Sequence, residues 1–403
     1  MLYIVAANLF QIFGLYQQYP ILDVIWKAVI LLYLIAYAAY KAPRPLRIYG
    51  GYWAFFLGFL LYQVLNPIVS GDLPASLSDI VALIIPPTLF FIFMILFNNV
   101  SMNAKVFEKF LKLFIAFVIF ACVFNFVVNY GVITSITSDV EGYQLALSSF
   151  FDNRNTFGFY LFLGIVSNIF LLLNKQTRSV ILYTTLAIML TSLLLTLSRT
   201  SIIALIVCLT CFLILQNRTM LYVKGFLIAG AMGLVIILSP SLLGFIKENI
   251  IRADSGLTGR DYVYSSALNI AQDTNILFGA GYNSSIETLN QSTGYSSTHN
   301  SYLSVLVRGG VILFGMFVMG IIFSIRKILQ VRKSNVQLGD LLLSILVGYL
   351  IYSFTESRVF FFSSVPDFIV TVFVILVPLY LSNWHKVRSV TYKKQKITGE
   401  IYG

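Results

Sequence analysis

Long, unbroken apolar runs dominate this chain, among them VALIIPPTLFFIFMILF at 81–97 and FLIAGAMGLVIIL at 226–238. No face of such a segment suits water, so each must be surrounded by protein core or by lipid. Of 403 residues, 58% are hydrophobic and 11% charged, and the mean hydropathy is +0.86; soluble globular chains carry roughly 25% charge. A soluble fold would have too little polar surface to cover that apolar mass. In lipid the backbone must satisfy its own polar groups, which leaves α-helices or a closed β-barrel. Barrel strands alternate apolar and polar residues over about 10 positions, and these runs do not. The expected fold is an all-α integral membrane protein.

Apolar stretches of span length lie near 2–16, 21–40, 50–66, 80–97, 110–129, 156–173, 180–197, 201–217, 222–238, 301–324, 339–355 and 366–383, about twelve transmembrane helices. The N-terminal stretch MLYIVAANLF has no basic n-region and no small-residue cleavage pattern, so it reads as a retained first helix rather than a signal peptide. Residues 1–403 form one polytopic membrane domain, with a loop at 239–299 inserted between spans nine and ten and containing short helices.

The charges orient the bundle. Nineteen of the 27 basic residues fall in one set of alternate loops and in the C-terminal tail: Lys41, Arg44 and Arg47; Lys105, Lys109 and Lys112; Lys175 and Arg178; Arg218 and Lys224; Arg326, Lys327, Arg332 and Lys333; and Lys386 to Lys396. The opposite set holds six, and Lys27 and Arg308 lie within spans. Basic loops stay in the cytoplasm, so both termini are expected there and the 239–299 loop outside. The net charge of +11 is mostly this cytoplasmic rim, which meets anionic lipid and calls for no nucleic acid.

Four of the six outside basic residues are arginines near a membrane boundary: Arg154, Arg199, Arg260 and Arg358. They oppose the orienting bias. Each alone reads equally as interfacial snorkelling; four together point to a bound anion, because the planar guanidinium fork suits phosphate. Cys122, Cys208 and Cys211 all lie inside apolar runs and read as helix packing. Two histidines far apart make no metal cluster.

Within the loop, apolar residues at 242, 243, 245, 246, 250 and 251 suit an amphipathic helix, lying on the outer interface or packed on the bundle. A helix-like stretch follows Gly259, then the glycine-rich turn Gly279-Ala280-Gly281, which lacks the third glycine and the strand–helix setting of a dinucleotide site. His299, beside Asn300, stands at the outer mouth of span ten. It reads either as a structural histidine or as a general base, the work imidazole does best near neutral pH.

Taken in order, Leu197-Ser198-Arg199-Thr200, Gly259-Arg260 followed by Tyr264, Gly279-x-Gly281, and His299-Asn300-x-x-Leu303 followed by Gly309-Gly310 resemble the O-antigen ligase and polymerase family of bacterial membrane glycosyltransferases. The earlier Phe151-Asp152-Asn153-Arg154-Asn155-x-x-Gly158 resembles the family's Asn-x-Asn segment at the outer end of a middle helix. The likeness covers about 145–325. It implies transfer of a glycan from a polyprenyl diphosphate to an acceptor hydroxyl, without metal or other cofactor, at the extracytoplasmic face of the bacterial cytoplasmic membrane. The family's two arginines match Arg199 and Arg260, and its loop histidine matches His299. The chain departs from the pattern at Tyr264, where the family often has Trp, and at Arg154, where it often has Pro. Arg308 is an additional charge.

On this reading Arg199 and Arg260, with Arg154 and Arg358 in reserve, bind the diphosphate and stabilise the charge it gathers on leaving. His299 removes the acceptor proton, and direct displacement inverts the anomeric centre. Glu356, at the outer end of span eleven, orients His299 or offsets Arg358 or another arginine. Asn300 and Tyr264 support the site. Arg308, about 13 Å deeper than His299 along span ten, lines a lipid-diphosphate cavity or pairs with Asp367. The expected activity is polymerisation of capsular, exopolysaccharide or O-antigen repeat units. The alternatives are the related ligase, which moves a finished glycan to another acceptor, and a transporter of lipid-linked oligosaccharides. A transporter would place its charges at the bilayer midplane and repeat its halves; here they gather at the outer boundary. Expected partners are the lipid-linked donor and acceptor, membrane lipid, and proteins of polysaccharide export and chain-length control.

Overall fold

The computed structural model describes residues 50–72, 104–131, 147–151, 153–174, 179–217, 260–360 and 364–382, with isolated positions between 25 and 40 and at 84 and 88. Among them there is helix and no strand. In chain order the helices are α1 (Gly50–Ser70), α2 (Ala104–Val128), α3 (Arg154–Leu173), α4 (Ser179–Leu195), α5 (Arg199–Leu215), α6 (Arg260–Asp273), α7 (Tyr282–Thr293), α8 (Ser301–Ser334), α9 (Val336–Tyr352) and α10 (Val365–Val370). The last continues through a π-helical turn, Thr371–Leu376, and the apolar helix as a whole runs to Ser382.

Among the described residues three helices are long and apolar enough to cross a membrane: Lys105–Val128, Arg154–Leu173 and Ser301–Ser334. Shorter apolar helices run over Ala54–Ser70, Val180–Leu195, Arg199–Leu215, Val336–Tyr352 and Pro366–Ser382. These eight coincide with eight of the expected spans. The expected spans at 2–16 and 222–238, nearly all of that at 80–97 and about half of that at 21–40 lie outside the described residues, as does the amphipathic stretch at 242–251. α2 starts six residues early and α1 runs four residues further than expected; boundaries shift most at span ten, which continues ten residues past its expected end. Apolar Ile328 and Val331 there stay buried, and Arg332 binds the buried carboxylate of Asp340 on α9.

The helices are apolar on both sides. Phe107, Phe114 and Val118 of α2 are fully buried, yet Leu113, Phe120, Val123 and Val127 of the same helix are exposed. A water-facing helix would be polar on that outer side, so the exposed residues form a face suited to lipid rather than to water. Inside, small residues let the helices close up. A Cβ on Gly348 of α9 would come within 2.9 Å of Cys208 and 2.8 Å of Phe162, and one on Gly158 of α3 within 2.4 Å of the Ser201 hydroxyl of α5. Cys208 is thus a packing residue at a three-helix crossing. Cys122, Cys208 and Cys211 are all free thiols.

The α4–α5 break explains the Leu-Ser-Arg-Thr string. The Thr196 hydroxyl donates to Leu193 O (2.7 Å) and accepts from Ser198 N (3.1 Å), a local turn that competes with the helix ladder. Leu197 takes a positive φ of 52°, and Ser198 then opens α5 as its N-cap.

Candidate functional site

The site assembles around the short turn after α9, residues 353–358. A helix end leaves its last carbonyls unsatisfied, and here other segments supply the donors. Ser301 N donates to Ser353 O (2.8 Å). Phe354 O accepts from Asn300 Nδ2 (3.1 Å) and from the Tyr264 hydroxyl (3.0 Å). Arg358 O accepts from the Tyr349 hydroxyl (2.8 Å), and the Ser301 hydroxyl in turn accepts from Arg358 N (2.8 Å). Thr355 and Thr200, on the first turn of α5, share a hydroxyl–hydroxyl bond of 2.8 Å.

Glu356 lies at the middle of this turn and is 4% exposed. Its Oε1 accepts from Asn155 Nδ2 (2.6 Å) and Arg260 Nη2 (3.0 Å). Its Oε2 lies 3.6 Å from His299 Nδ1. Of the two roles expected of Glu356, the structure brings it to both an arginine and the histidine, and the arginine is Arg260 rather than Arg358. Arg358 turns the other way, with Nη2 donating to Thr156 Oγ1 (2.6 Å) and Nη1 to Ser357 O (3.2 Å). Its Nε is buried without a hydrogen bond among the described residues. Burial works against the Arg358 charge, but Tyr352, Asp367 and Glu356 nearby leave its proton held more tightly than in an ordinary guanidinium.

His299 is fixed through its backbone. It has a φ of 48°, a conformation that costs a non-glycine residue on the order of 1–3 kcal/mol, and it is held between two local contacts. Its amide donates to the Ser297 hydroxyl (3.2 Å), and the next residue, Asn300, caps α8 by accepting from Leu303 N (3.0 Å). Asn300 N also donates to the Ser357 hydroxyl (3.1 Å), which ties the histidine to the Glu356 turn. Tyr264 lies beneath both, its hydroxyl 3.3 Å from His299 O. Burial pushes that hydroxyl above the usual phenol value, with the Arg260 charge pulling the other way, so it stays a neutral donor.

Arg154 and Arg199 are the first residues of α3 and α5. Their immediate neighbours hold the turn: Asn155 on Glu356, Thr156 on Arg358, and Thr200 on Thr355. Gly158 and Ser201 bring the two helix starts into contact. The N-termini of α3, α5 and α8 therefore converge on one turn. Each carries the positive end of a helix dipole, and the arginines add to that field, so the region favours an anion. Arg308 is separate from this cluster. Its guanidinium lies 4.5 Å above the Tyr282 ring, at a crevice lined by Ser285, Ser296, Thr298 and Ser304. The carboxylate of Asp367, the partner expected of Arg308, accepts from Val359 N (2.9 Å) and the Ser364 hydroxyl and lies within the field of the Arg308 charge.

Asn155, Thr156, Thr200 and Ser301 are the members that the sequence did not single out. Asn155 and Thr200 had a visible signal, since they belong to the Asn-x-Asn segment and to the Leu-Ser-Arg-Thr string; Thr156 and Ser301 are hydroxyl residues at helix starts, which are common. Among the described residues no group of His, Cys, Asp and Glu is arranged to hold a metal ion.

Comparison with curated proteins returned no match for the chain. A family model described as O-antigen ligase matches residues 184–318. That third of the chain contains Arg199, Arg260, Tyr264, His299, Asn300 and Arg308, and stops short of Glu356 and Arg358. The motif resemblance and the family model overlap: residues 184–318 of this chain of apolar helices are similar to the O-antigen ligase family.

Proposed function

We propose that the chain is a metal-independent, inverting glycosyltransferase that polymerises polyprenyl-diphosphate-linked repeat units of capsular, exopolysaccharide or O-antigen type. It works at the outer face of a bacterial cytoplasmic membrane of which it spans about twelve helices, both termini inside and the 239–299 loop outside. The observation that carries the reading is the Arg260–Glu356–His299 constellation at the converging helix starts.

The glycosyl diphosphate brings its own leaving group, so the site must stabilise charge and move one proton. Arg199 and Arg260 hold the donor diphosphate, with Arg154 and Arg358 beside them. Arg260 is bound to Glu356, so the donor takes it by exchange: the phosphate oxygens replace Oε1, and the freed carboxylate turns to His299 Nδ1. Nε2 is the nitrogen left to accept a proton. The acceptor hydroxyl gives that proton to His299 as its oxygen attacks the anomeric carbon from the side opposite the leaving group. The bond from carbon to diphosphate oxygen breaks, and the polyprenyl diphosphate departs with the electron pair. Positioned general bases contribute about 10²–10⁴-fold, and a preorganised charge at the leaving group contributes on the order of 10²–10³-fold.

The matched model bears the ligase description, and ligation would use the same residues with a different acceptor. Deletion of the gene, followed by electrophoresis of surface glycan, separates the readings. Single repeat units in place of long chains support polymerisation. Full-length polymer left unattached supports ligation, and substrate retained inside the cell supports a transporter and overturns the enzyme.

A further inference from the structure

The kink in α8 is filled by another part of the chain. Gly310 has φ 62° and ψ −165°, which breaks the helix and frees carbonyls on one side of the break and amides on the other. The turn 276–281 supplies their complement. Ala280 N donates to Val307 O (2.8 Å) and Gly281 N to Arg308 O (3.0 Å), while Val311 N and Ile312 N donate to Ile276 O (2.9 Å) and Leu277 O (3.3 Å). Two α1 side chains complete the set: Tyr62 donates to Gly309 O (2.7 Å) and Asn66 to Phe278 O (2.7 Å). A Cβ on Gly279 would meet Val307 O and Gly310 N at 2.6 Å, so the paired glycines of the two motifs permit one backbone contact.

Every amide from Leu277 to Gly281 and every carbonyl from Ile276 to Phe278 has a protein partner. Water would satisfy them on an exposed loop; hydrocarbon would not, and irregular backbone enters a membrane only where protein satisfies it. The depth agrees. An apolar core of about 30 Å takes about 20 helical residues, and counting back from the basic pair Arg326 and Lys327 puts the other boundary of α8 near residue 306. The turn is bonded to residues 307–312, at or inside that boundary. Asp72, two residues past the end of α1, caps α7 by accepting from Asn283 N (2.6 Å) and Ser284 N (3.0 Å), while Asn66 and Tyr62, about one and two turns back from that helix end, reach the turn and the kink.

The tip is apolar and uncovered: Ile276 is 66% and Leu277 50% exposed. Below them on α8 the exposed residues Val311, Gly315, Val318, Met319 and Ile322 recur at helical spacing along one face, the face that meets lipid. Ile276 and Leu277 stand at its head, next to Val311.

We infer that residues 276–278 are a re-entrant membrane anchor: the turn between α6 and α7 dips into the outer edge of the bilayer and rests Ile276 and Leu277 on lipid acyl chains. Helix α6, which begins at Arg260, and α7, which leads into the segment of His299, are thereby pinned at a set depth. The inference rests on α8 spanning the membrane and stands apart from the glycosyltransferase reading.

The test is tryptophan fluorescence of the full chain in phospholipid vesicles, as the difference from the unsubstituted protein. L277W and, separately, I276W report the tip; E287W, on the exposed face of α7, reports the water side. With lipids brominated high on the acyl chains, L277W and I276W are expected to lose most of their added emission and E287W little, with aqueous iodide giving the reverse. Quenching of both tip variants by iodide, or by neither agent, overturns the anchor. Transfer activity is not part of the readout, so failure of the proposed reaction would leave this result unaffected.

Discussion

Glu356 divides its carboxylate between Arg260, bound at 3.0 Å through Oε1, and His299, 3.6 Å away at Oε2. A single buried acid thus sets the position of a candidate phosphate-binding group and of a candidate base, and Asn155 holds the acid itself. In the proposed reaction the two functions would be coupled through that carboxylate, because a phosphate oxygen that takes Arg260 Nη2 competes with Glu356 Oε1. The carboxylate so released would be available to the histidine when donor is present and a proton has to move.

Glu356→Gln tests the sharing. The amide keeps an oxygen for Asn155 but loses the charge that holds Arg260 and would steady a protonated His299. The expected outcome is a split: kcat falls by about 10²-fold, within what a general base supplies, while the KM for the lipid-linked donor falls because Arg260 is released. A purely structural residue would raise KM or lower the amount of folded protein. Steady-state assays of the purified protein with varied donor check this.

His299→Ala, Arg260→Ala and Arg199→Ala are each expected to leave the protein inserted at normal levels and to lower transfer by at least about 10²-fold. Chain-length profiles of surface glycan, read beside membrane immunoblots, provide the measurement. Wild-type profiles in all three would refute the proposed site.

Asn155→Ala removes the 2.6 Å hydrogen bond to a buried carboxylate. A hydrogen bond to a charged group contributes about 1.5–3 kcal/mol, so transfer should fall about tenfold or more with a modest loss of thermal stability. Asn155→Asp should be worse, since it puts a second carboxylate against Glu356 beneath little solvent. Thermal unfolding in detergent and the transfer assay together rank the two.

Gly158→Ala drives a methyl group to 2.4 Å from the Ser201 hydroxyl and 3.0 Å from Ser198 Cβ. Overpacking of this kind costs about 1–3 kcal/mol, and here it would also separate the starts of α3 and α5 that hold the Glu356 turn. Both the melting temperature and the transfer rate should fall, and Ser201→Ala, which removes the nearest atom, should restore part of each.

Asp72→Ala strips α7 of its N-terminal acceptor, a loss of about 0.5–2 kcal/mol for a cap. The amides of Asn283 and Ser284, which Asp72 binds, should exchange hydrogen faster, with those of α9 unchanged. Hydrogen exchange by mass spectrometry resolves the two peptides.

Much of this architecture is written in local features of the chain. Apolar run length marks helices because every backbone group in lipid must be satisfied within its own segment, so eight expected spans reappear as α1–α5 and α8–α10. Sidedness of charge singled out Arg154, Arg199, Arg260 and Arg358, because four arginines on the wrong side of an orienting bias need a reason. Which of them meets Glu356 was not legible. Asn155 and Glu356 are 201 residues apart and Arg260 and Glu356 are 96 apart, and nothing in the composition near Glu356 prefers Arg260 to the nearer Arg358. That choice is made by the packing of α3 on α5 through Gly158, which aims Thr156 at Arg358 and Asn155 at Glu356. The same holds for the glycine pairs at 279–281 and 309–310. As sequence they announce two flexible points; only in the folded chain does one become the filling of the other, because a broken helix frees backbone groups that a second backbone must satisfy.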